Sequence, residues 1–429
     1  MLKSKLQSKI EKLRKEYPRF IYNNYSWRIS EKKLEILFDF KIEPGISFAP
    51  KIIIENIDNS QIKKIGEKAL NNLIFNIGLI EIPSYWKTTC SPEIIIKAGY
   101  LNKEQINWWK KIFINGMGQF YYENKIDWRK RNFIKVSTEN KSSQLTTYNL
   151  QLNNGYLVPF AGGRDSIVTL ESLKKTTKNI SLFTVNPIDK ILKVAKISGI
   201  KKQIVVRRII DKKLLAMNKG GFLNGHTPFT SLLSFISVLC AVLFNYKNIA
   251  FSNEKSSNEG NIKYLGKIIN HQWAKSSEFE KMFGQYCKKY LAKNINYFSY
   301  IRKYSELEIS KKLAQYKKYL PVFSSCNAGM RISAKGTLAS KERWCGNCPK
   351  CLFVYLTLYP FLSKRELQIT FGKDILENRA LLPIMKDLLS KTTVKPLECV
   401  GTKLETQKAL KMSLIKAKRE RVVPYLLKI

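Results

Sequence analysis

The chain has 429 residues, 44% of them hydrophobic, with a formal net charge of +42. That is enough apolar material for a sizeable core in two domains, which excludes a disordered or low-complexity protein. The charge alone would suggest a nucleic-acid partner, but lysines are spread along the whole chain among abundant Ile and Asn, the pattern of an AT-rich coding sequence, so no stable nucleic-acid partner is expected.

The segment Met1 to Tyr17 is charged throughout and lacks the apolar run of a secretory signal, which predicts an exposed amphipathic helix. From Tyr25 to about Tyr148, alternating or β-branched runs such as Leu34 to Phe40 and Lys51 to Glu55 predict strands, with one helix over Lys103 to Asn115. Residues 1–150 therefore read as an α+β N-terminal domain. From Gly155 strands alternate with helices: strand Tyr156 to Phe160, helix Asp165 to Thr176, strand Ile180 to Val185, helix Ile188 to Ser198 and strand Gln203 to Ile210. This is the pattern of a parallel sheet covered by helices, so residues 151–429 read as an α/β domain whose ligand sits beyond the carboxyl ends of the strands. The most apolar stretch, Pro228 to Phe244, is short for a bilayer span and dotted with Ser and Thr, which predicts a buried helix and no membrane partner. The basic stretch Lys403 to Arg421 reads as a solvated helix face in a C-terminal helical tail.

Between the first strand and helix of the second domain lies Ala161-Gly162-Gly163-Arg164-Asp165-Ser166. Two glycines let the backbone approach phosphates, and free N–H groups at a helix start point toward an anion. No Gly-Lys-Ser/Thr ends the loop, so it is not the kinase-type phosphate loop. It resembles the Ser-Gly-Gly-x-Asp-Ser loop of the ATP pyrophosphatase (PP-loop) superfamily, which implies ATP and Mg2+, with release of pyrophosphate. Ala161 departs from the superfamily's first Ser. By the same resemblance Arg164 would supply positive charge and Asp165 would hold magnesium on the pyrophosphate.

Eight cysteines, three of them in Cys345-x-x-Cys348-x-x-Cys351, argue for a metal site in a reducing compartment, and hence for the cytoplasm. With Cys326 as a fourth ligand they would make a closed, structural Zn2+ site, an iron–sulfur cluster being the alternative. The arrangement resembles that of the deazaguanine nitrile synthases, another PP-loop branch. Cys90, Cys240, Cys287 and Cys399 are isolated and read as core or incidental residues.

Further stretches, Ile82 to Tyr100, Asn224 to Ser231, Ser252 to Asn261, Asn270 to Glu280 and Trp344 to Leu362, together with the loop, resemble the ATP-dependent epimerase family acting on UDP-N-acetylmuramoyl-L-alanyl-L-glutamate. The resemblance covers about residues 30 to 390, with Arg164 standing where Lys would be expected. It implies epimerisation of the terminal L-glutamate to D-glutamate through an acyl-adenylate in peptidoglycan synthesis. Its partners would be the UDP-muramoyl dipeptide and the ligase that adds L-glutamate upstream. The only histidines, His226 and His271, fall inside these stretches, and Glu254 and Glu259 flank a Ser-Ser-Asn turn after the strand Asn248 to Phe251. His226, Glu254 and His271, with Asp165, form the expected catalytic set, and which residue is the base stays open. Trp86 and Lys87 are further candidates for substrate contact, whereas Trp108 and Trp109 read as core. Two other readings compete: a PP-loop enzyme modifying a tRNA base by thiolation or lysidine formation, and a non-catalytic nucleic-acid-binding protein with a degenerate loop.

Overall fold

A computed structural model describes residues 2–139, 148–330, 343–390 and 394–429. In chain order its strands are β1 (Arg19–Ser30), β2 (Lys33–Glu43), β3 (Ile46–Phe48), β4 (Lys51–Glu55), β5 (Glu93–Ile96), β6 (Lys135–Thr138), β7 (Asn153–Pro159), β8 (Ile180–Val185), β9 (Gln203–Ile209), β10 (Tyr246–Phe251), β11 (Ile262–Tyr264), β12 (Lys267–Ile269) and β13 (Asn296–Ser299). The fold is mixed α/β, as the strand and helix pattern predicts.

Two compact units divide the chain, and they are not consecutive in sequence. The first comprises Met1–Leu157, Ile204–Ile249 and Lys263–Asn296; the second comprises Val158–Gln203, Ala250–Ile262 and Tyr297–Ile429. A reading cut at residue 150 assigns the second and third segments of the first unit to the other domain.

In the first unit the strand order is β9-β4-β2-β1-β5-β6, with β3 beside β2. β1, β2, β3 and β4 pair antiparallel and β4 meets β9 antiparallel, whereas β1, β5 and β6 run parallel. Strand β2 alternates strictly, burying Leu34, Ile36, Phe38, Phe40 and Ile42, as a sheet with one face on a core requires. The helix Glu67–Trp86 packs on β1 and on the helix Phe229–Leu243. Both helices are apolar nearly all round, which places them in the interior. The predicted buried helix is thus Phe229–Leu243, and among the described residues no helix is long and apolar enough to cross a membrane. Some polar side chains inside pair with one another: Tyr286 donates to Asn76 Oδ1 at 2.7 Å and accepts from Trp109 Nε1 at 3.1 Å.

Two local expectations of this unit are corrected. The N-terminal helix Leu2–Glu16 is anchored rather than simply exposed, since Ile10 is buried and Arg14 donates to the carbonyls of Phe133, at 2.7 Å, and Cys90. The helix from Lys103 ends at Lys111 and continues as a π-helical turn, Ile112–Gly116. Its last residue lies where a Cβ would stand 3.0 Å from Pro228 and 3.6 Å from Trp273. The backbone therefore closes on the loops that carry His226 and His271.

Gly78, in the middle of Glu67–Trp86, faces the buried Tyr22, and a Cβ there would fall 2.0 Å from the phenol oxygen. Gly78→Ala is expected to cost about 1–3 kcal/mol by overpacking, read as a lowered urea midpoint. Combination with Tyr22→Phe in one chain, which removes the clashing oxygen, should recover part of the loss.

In the second unit the strand order is β13-β10-β7-β8, through Ala250–Phe251 of β10 and Val158–Pro159 of β7. Helices Arg164–Leu173 and Asp189–Ser198 follow β7 and β8. A helical group, Glu306–Ala314, Pro349–Leu358, Lys364–Phe371, Leu382–Leu389 and Lys403–Arg419, completes it.

Candidate functional site

In the second unit, Ala161–Gly163 joins β7 to the helix Arg164–Leu173, as the strand-turn-helix pattern predicts. Gly162 has φ +67°, and a Cβ there would press on Val194 at 3.2 Å, so both backbone conformation and space require glycine. Gly163 begins the helix without a side-chain cap of its own, and Ser325 Oγ accepts the Arg164 N–H at 3.2 Å instead. Ser166 donates to the Gly163 carbonyl at 3.0 Å.

Arg164 does not present its charge outward. Its side chain is 1% exposed, donates to Asp165 Oδ1 at 2.9 Å and Ser310 Oγ at 3.2 Å, and is paired with the wholly buried Glu306. Burial alone would lower the guanidinium pKa, but Asp165 and Glu306 together raise it above its ordinary value. Glu306 accepts in turn from Ser256 Oγ at 2.7 Å. Arg164 thus ties the loop's helix to the Ser-Ser-Asn turn, and Asp165 accepts from it. The expected charge at the phosphate loop is instead an internal brace.

Glu254 is 2% exposed, its carbonyl accepting from Arg302 at 2.8 Å. Glu259 pairs with the buried Lys395 at 3.4 Å. Glu254 is therefore an interior residue, whereas the Glu259 side chain stays partly exposed.

The four cysteines converge as the spacing predicts. The Sγ atoms of Cys326, Cys345, Cys348 and Cys351 lie within 4.8 Å of one another, with Cys345 and Cys351 3.7 Å apart. Tetrahedral zinc at Zn–S distances of about 2.3 Å needs S–S separations of about 3.8 Å, so the set fits a metal. Backbone N–H groups of Cys345, Asn347 and Cys351 point at Sγ of Cys326, Cys345 and Cys348, which favours thiolate charge. Cys90, Cys240 and Cys287 are buried apart from this group, and burial pushes the Cys90 and Cys287 thiols up to about 12.

The histidines come together in the first unit. His226 precedes the helix Phe229–Leu243, His271 follows β12, and their ring centroids are 4.8 Å apart. His271 Nδ1 hydrogen-bonds Gln119 Oε1, while Gln119 Nε2 donates to Glu123 Oε1 at 2.7 Å. The carboxylate fixes the amide's orientation, so Nδ1 must carry the hydrogen and Nε2 is the acceptor atom of the neutral ring. His226 Nδ1 is buried with no hydrogen-bond partner. Burial, then His271, Lys87 and Lys275, draw His226 down to about 3. Lys87, at the end of Glu67–Trp86, donates to the Gly225 carbonyl at 3.0 Å. Sequence reasoning missed Gln119 and Glu123, whose signal is their four-residue spacing on one helix, and Glu306, Ser310 and Ser325, which carry no local signal.

A mixed α/β protein with a glycine turn opening a helix, a four-cysteine cluster and a paired-histidine site is the class these units define. Residues 11–300 match the MurL N-terminal domain and residues 322–426 the MurL C-terminal domain. A relative from Salinispora tropica, named UDP-N-acetyl-alpha-D-muramoyl-L-alanyl-L-glutamate epimerase, is 30% identical over 397 residues, 92% of this chain and 84% of its own. A relative of the same name from Xanthomonas oryzae pv. oryzae is 32% identical over 333 residues, 77% of this chain and 72% of its own. The chain belongs to the MurL family.

Proposed function

We propose that the protein is an ATP- and magnesium-dependent epimerase that inverts the terminal L-glutamate of UDP-N-acetylmuramoyl-L-alanyl-L-glutamate for peptidoglycan synthesis in the cytoplasm. The observation that carries this reading is the pair of relatives of that name, matching over most of the chain. The paired histidines would supply groups for the proton chemistry.

The chemistry ATP supplies when bound is adenylation of the glutamate α-carboxylate with release of pyrophosphate, since a free carboxylate would set the carbanion beside an existing negative charge. In the second unit, Gly162 and Gly163 would let backbone N–H groups close on the phosphates at the start of Arg164–Leu173, and Asp165 would hold magnesium. In the first unit, His271 has Nδ1 committed to Gln119, so Nε2 is the atom that would take the α-proton. His226 stands next to it and, once protonated, would be the partner for returning a proton. Hydrolysis then gives AMP and the D-glutamyl product.

The test is incubation with the UDP-muramoyl dipeptide, ATP and magnesium, with chiral analysis of the hydrolysed glutamate. D-glutamate together with AMP and pyrophosphate is expected. Unchanged L-glutamate would overturn the epimerase reading, whereas D-glutamate accompanied by ADP and orthophosphate would overturn only the phosphate-loop chemistry.

Cys326, Cys345, Cys348 and Cys351 would hold a structural zinc whose contribution is to folding rather than to any reaction step. Metal analysis should find one zinc per chain without sulfide. Cys351→Ser, at a buried ligand, should lose the metal and lower the melting temperature. Chelation of the unsubstituted protein should lower it similarly.

A further inference from the structure

The paired histidines sit in an unusual electrostatic setting within the first unit. Lys87 and Lys275 both act on His226, as does His271. Arg208 acts on Lys87, although it is itself held by the buried Glu81 at 2.5 and 2.7 Å and by Ser84 at 2.9 Å. Glu123 accepts from Gln119 and also lies against Gly225, where a Cβ would stand 3.2 Å from its Oε2. The groups gathered here are thus mainly basic, and His226 Nδ1 is a buried polar atom without a partner. Such an atom costs stability unless something binds it.

We propose that Lys87 and His226 form an oxyanion-binding site that holds a carboxylate or phosphoryl group of the substrate beside His271. Lys87 is the anchoring residue: its ammonium is tethered to the Gly225 carbonyl next to His226 and keeps further N–H donors for an incoming anion. The anion completes the site as well as filling it. A histidine drawn down to about 3 is a poor proton carrier near pH 7, and a lysine lowered to about 8 by burial and by Arg208 keeps its charge there by a narrow margin. An anion within hydrogen-bond distance favours the protonated form of each and raises both. Substrate binding would therefore tune the pair it is meant to react with. The inference rests on the epimerase reading only for the identity of the anion. In the proposed substrate the glutamate side-chain carboxylate and the diphosphate share the required chemistry.

Having two histidines in the whole chain makes the test direct. The full protein, labelled with 15N at histidine, is titrated at pH 7 with glutarate and, separately, with inorganic phosphate. A saturable shift of the His226 ring nitrogens toward protonation, lost in Lys87→Met and retained in Lys87→Arg, is expected. Response to glutarate alone assigns the carboxylate; response to phosphate alone assigns the phosphoryl group. Absence of a His226 response to both, or wild-type binding in a folded Lys87→Met protein, overturns the proposal. In turnover, Lys87→Met should raise KM for the muramoyl dipeptide about tenfold or more with KM for ATP unchanged. An equal loss in both would mark Lys87 as merely structural. If the anion response is present but the dipeptide is not epimerised, the epimerase reading fails and the anion site stands.

Discussion

Arg164→Met is expected to lower the unfolding free energy by about 3–5 kcal/mol, the loss typical of breaking a buried ion pair from one side. The guanidinium and the Glu306 carboxylate are both shut off from solvent. Methionine fills similar space but leaves Glu306 charged, with the Ser256 hydroxyl at 2.7 Å as a remaining donor. Most of the cost is therefore the stranded carboxylate rather than the lost attraction. Arg164→Met combined with Glu306→Gln should be less destabilised than Arg164→Met alone, because the stranded charge is gone. Arg164→Lys keeps the charge but cannot span Asp165, Ser310 and Glu306 at once, so it should fall in between. Urea unfolding checks the series, and a loss below about 1 kcal/mol for Arg164→Met would mean that the brace is not holding the unit together.

His271→Asn and His226→Asn are each expected to reduce solvent-deuterium uptake at the glutamate α-carbon by about 10²–10⁴-fold, the usual contribution of a positioned acid or base. AMP formation should persist in part, since neither residue belongs to the phosphate loop. Gln119→Leu should show a smaller loss, because the imidazole of His271 remains while its tautomer is no longer fixed. Wild-type exchange rates in both histidine variants would place the base elsewhere. Stability follows the same residue. His226 is drawn from its ordinary 6.5 to about 3 in the folded protein, by burial first and then by His271, Lys87 and Lys275. Between those values the unfolded chain binds a proton that the folded chain refuses, so this contribution is present above about pH 6.5 and is lost as pH falls toward 3. His226→Asn should therefore lose less stability than the wild type between pH 7 and pH 5, which urea midpoints at the two values would show.

Much of this was legible in the order of residues. Strand β2 announced itself by alternation, Phe229–Leu243 by a continuous apolar run, and the glycine turn by the strand before it and the helix after it. Those signals are local, because backbone period and turn chemistry act over a few residues. The cysteine cluster was nearly as legible, since three of its four members share one turn and steric reach leaves them little choice. The membership of the two units was not, because Ile204–Ile249 and Lys263–Asn296 join the first unit through packing between distant segments.

Sequence by itself determined the element types and pointed to the phosphate-loop candidate, the four thiols and two scarce histidines. Only the tertiary structure decided what those residues face. It turned Arg164 inward onto Glu306, 142 positions away, where sequence placed its charge at the phosphates. It also set Gln119 against His271, 152 positions away, and so chose which ring nitrogen carries the hydrogen. The physical reason is common to both: a charge or a tautomer is fixed by whichever partner shares its desolvated surroundings, and residues so far apart in the chain become neighbours only when the core closes around them.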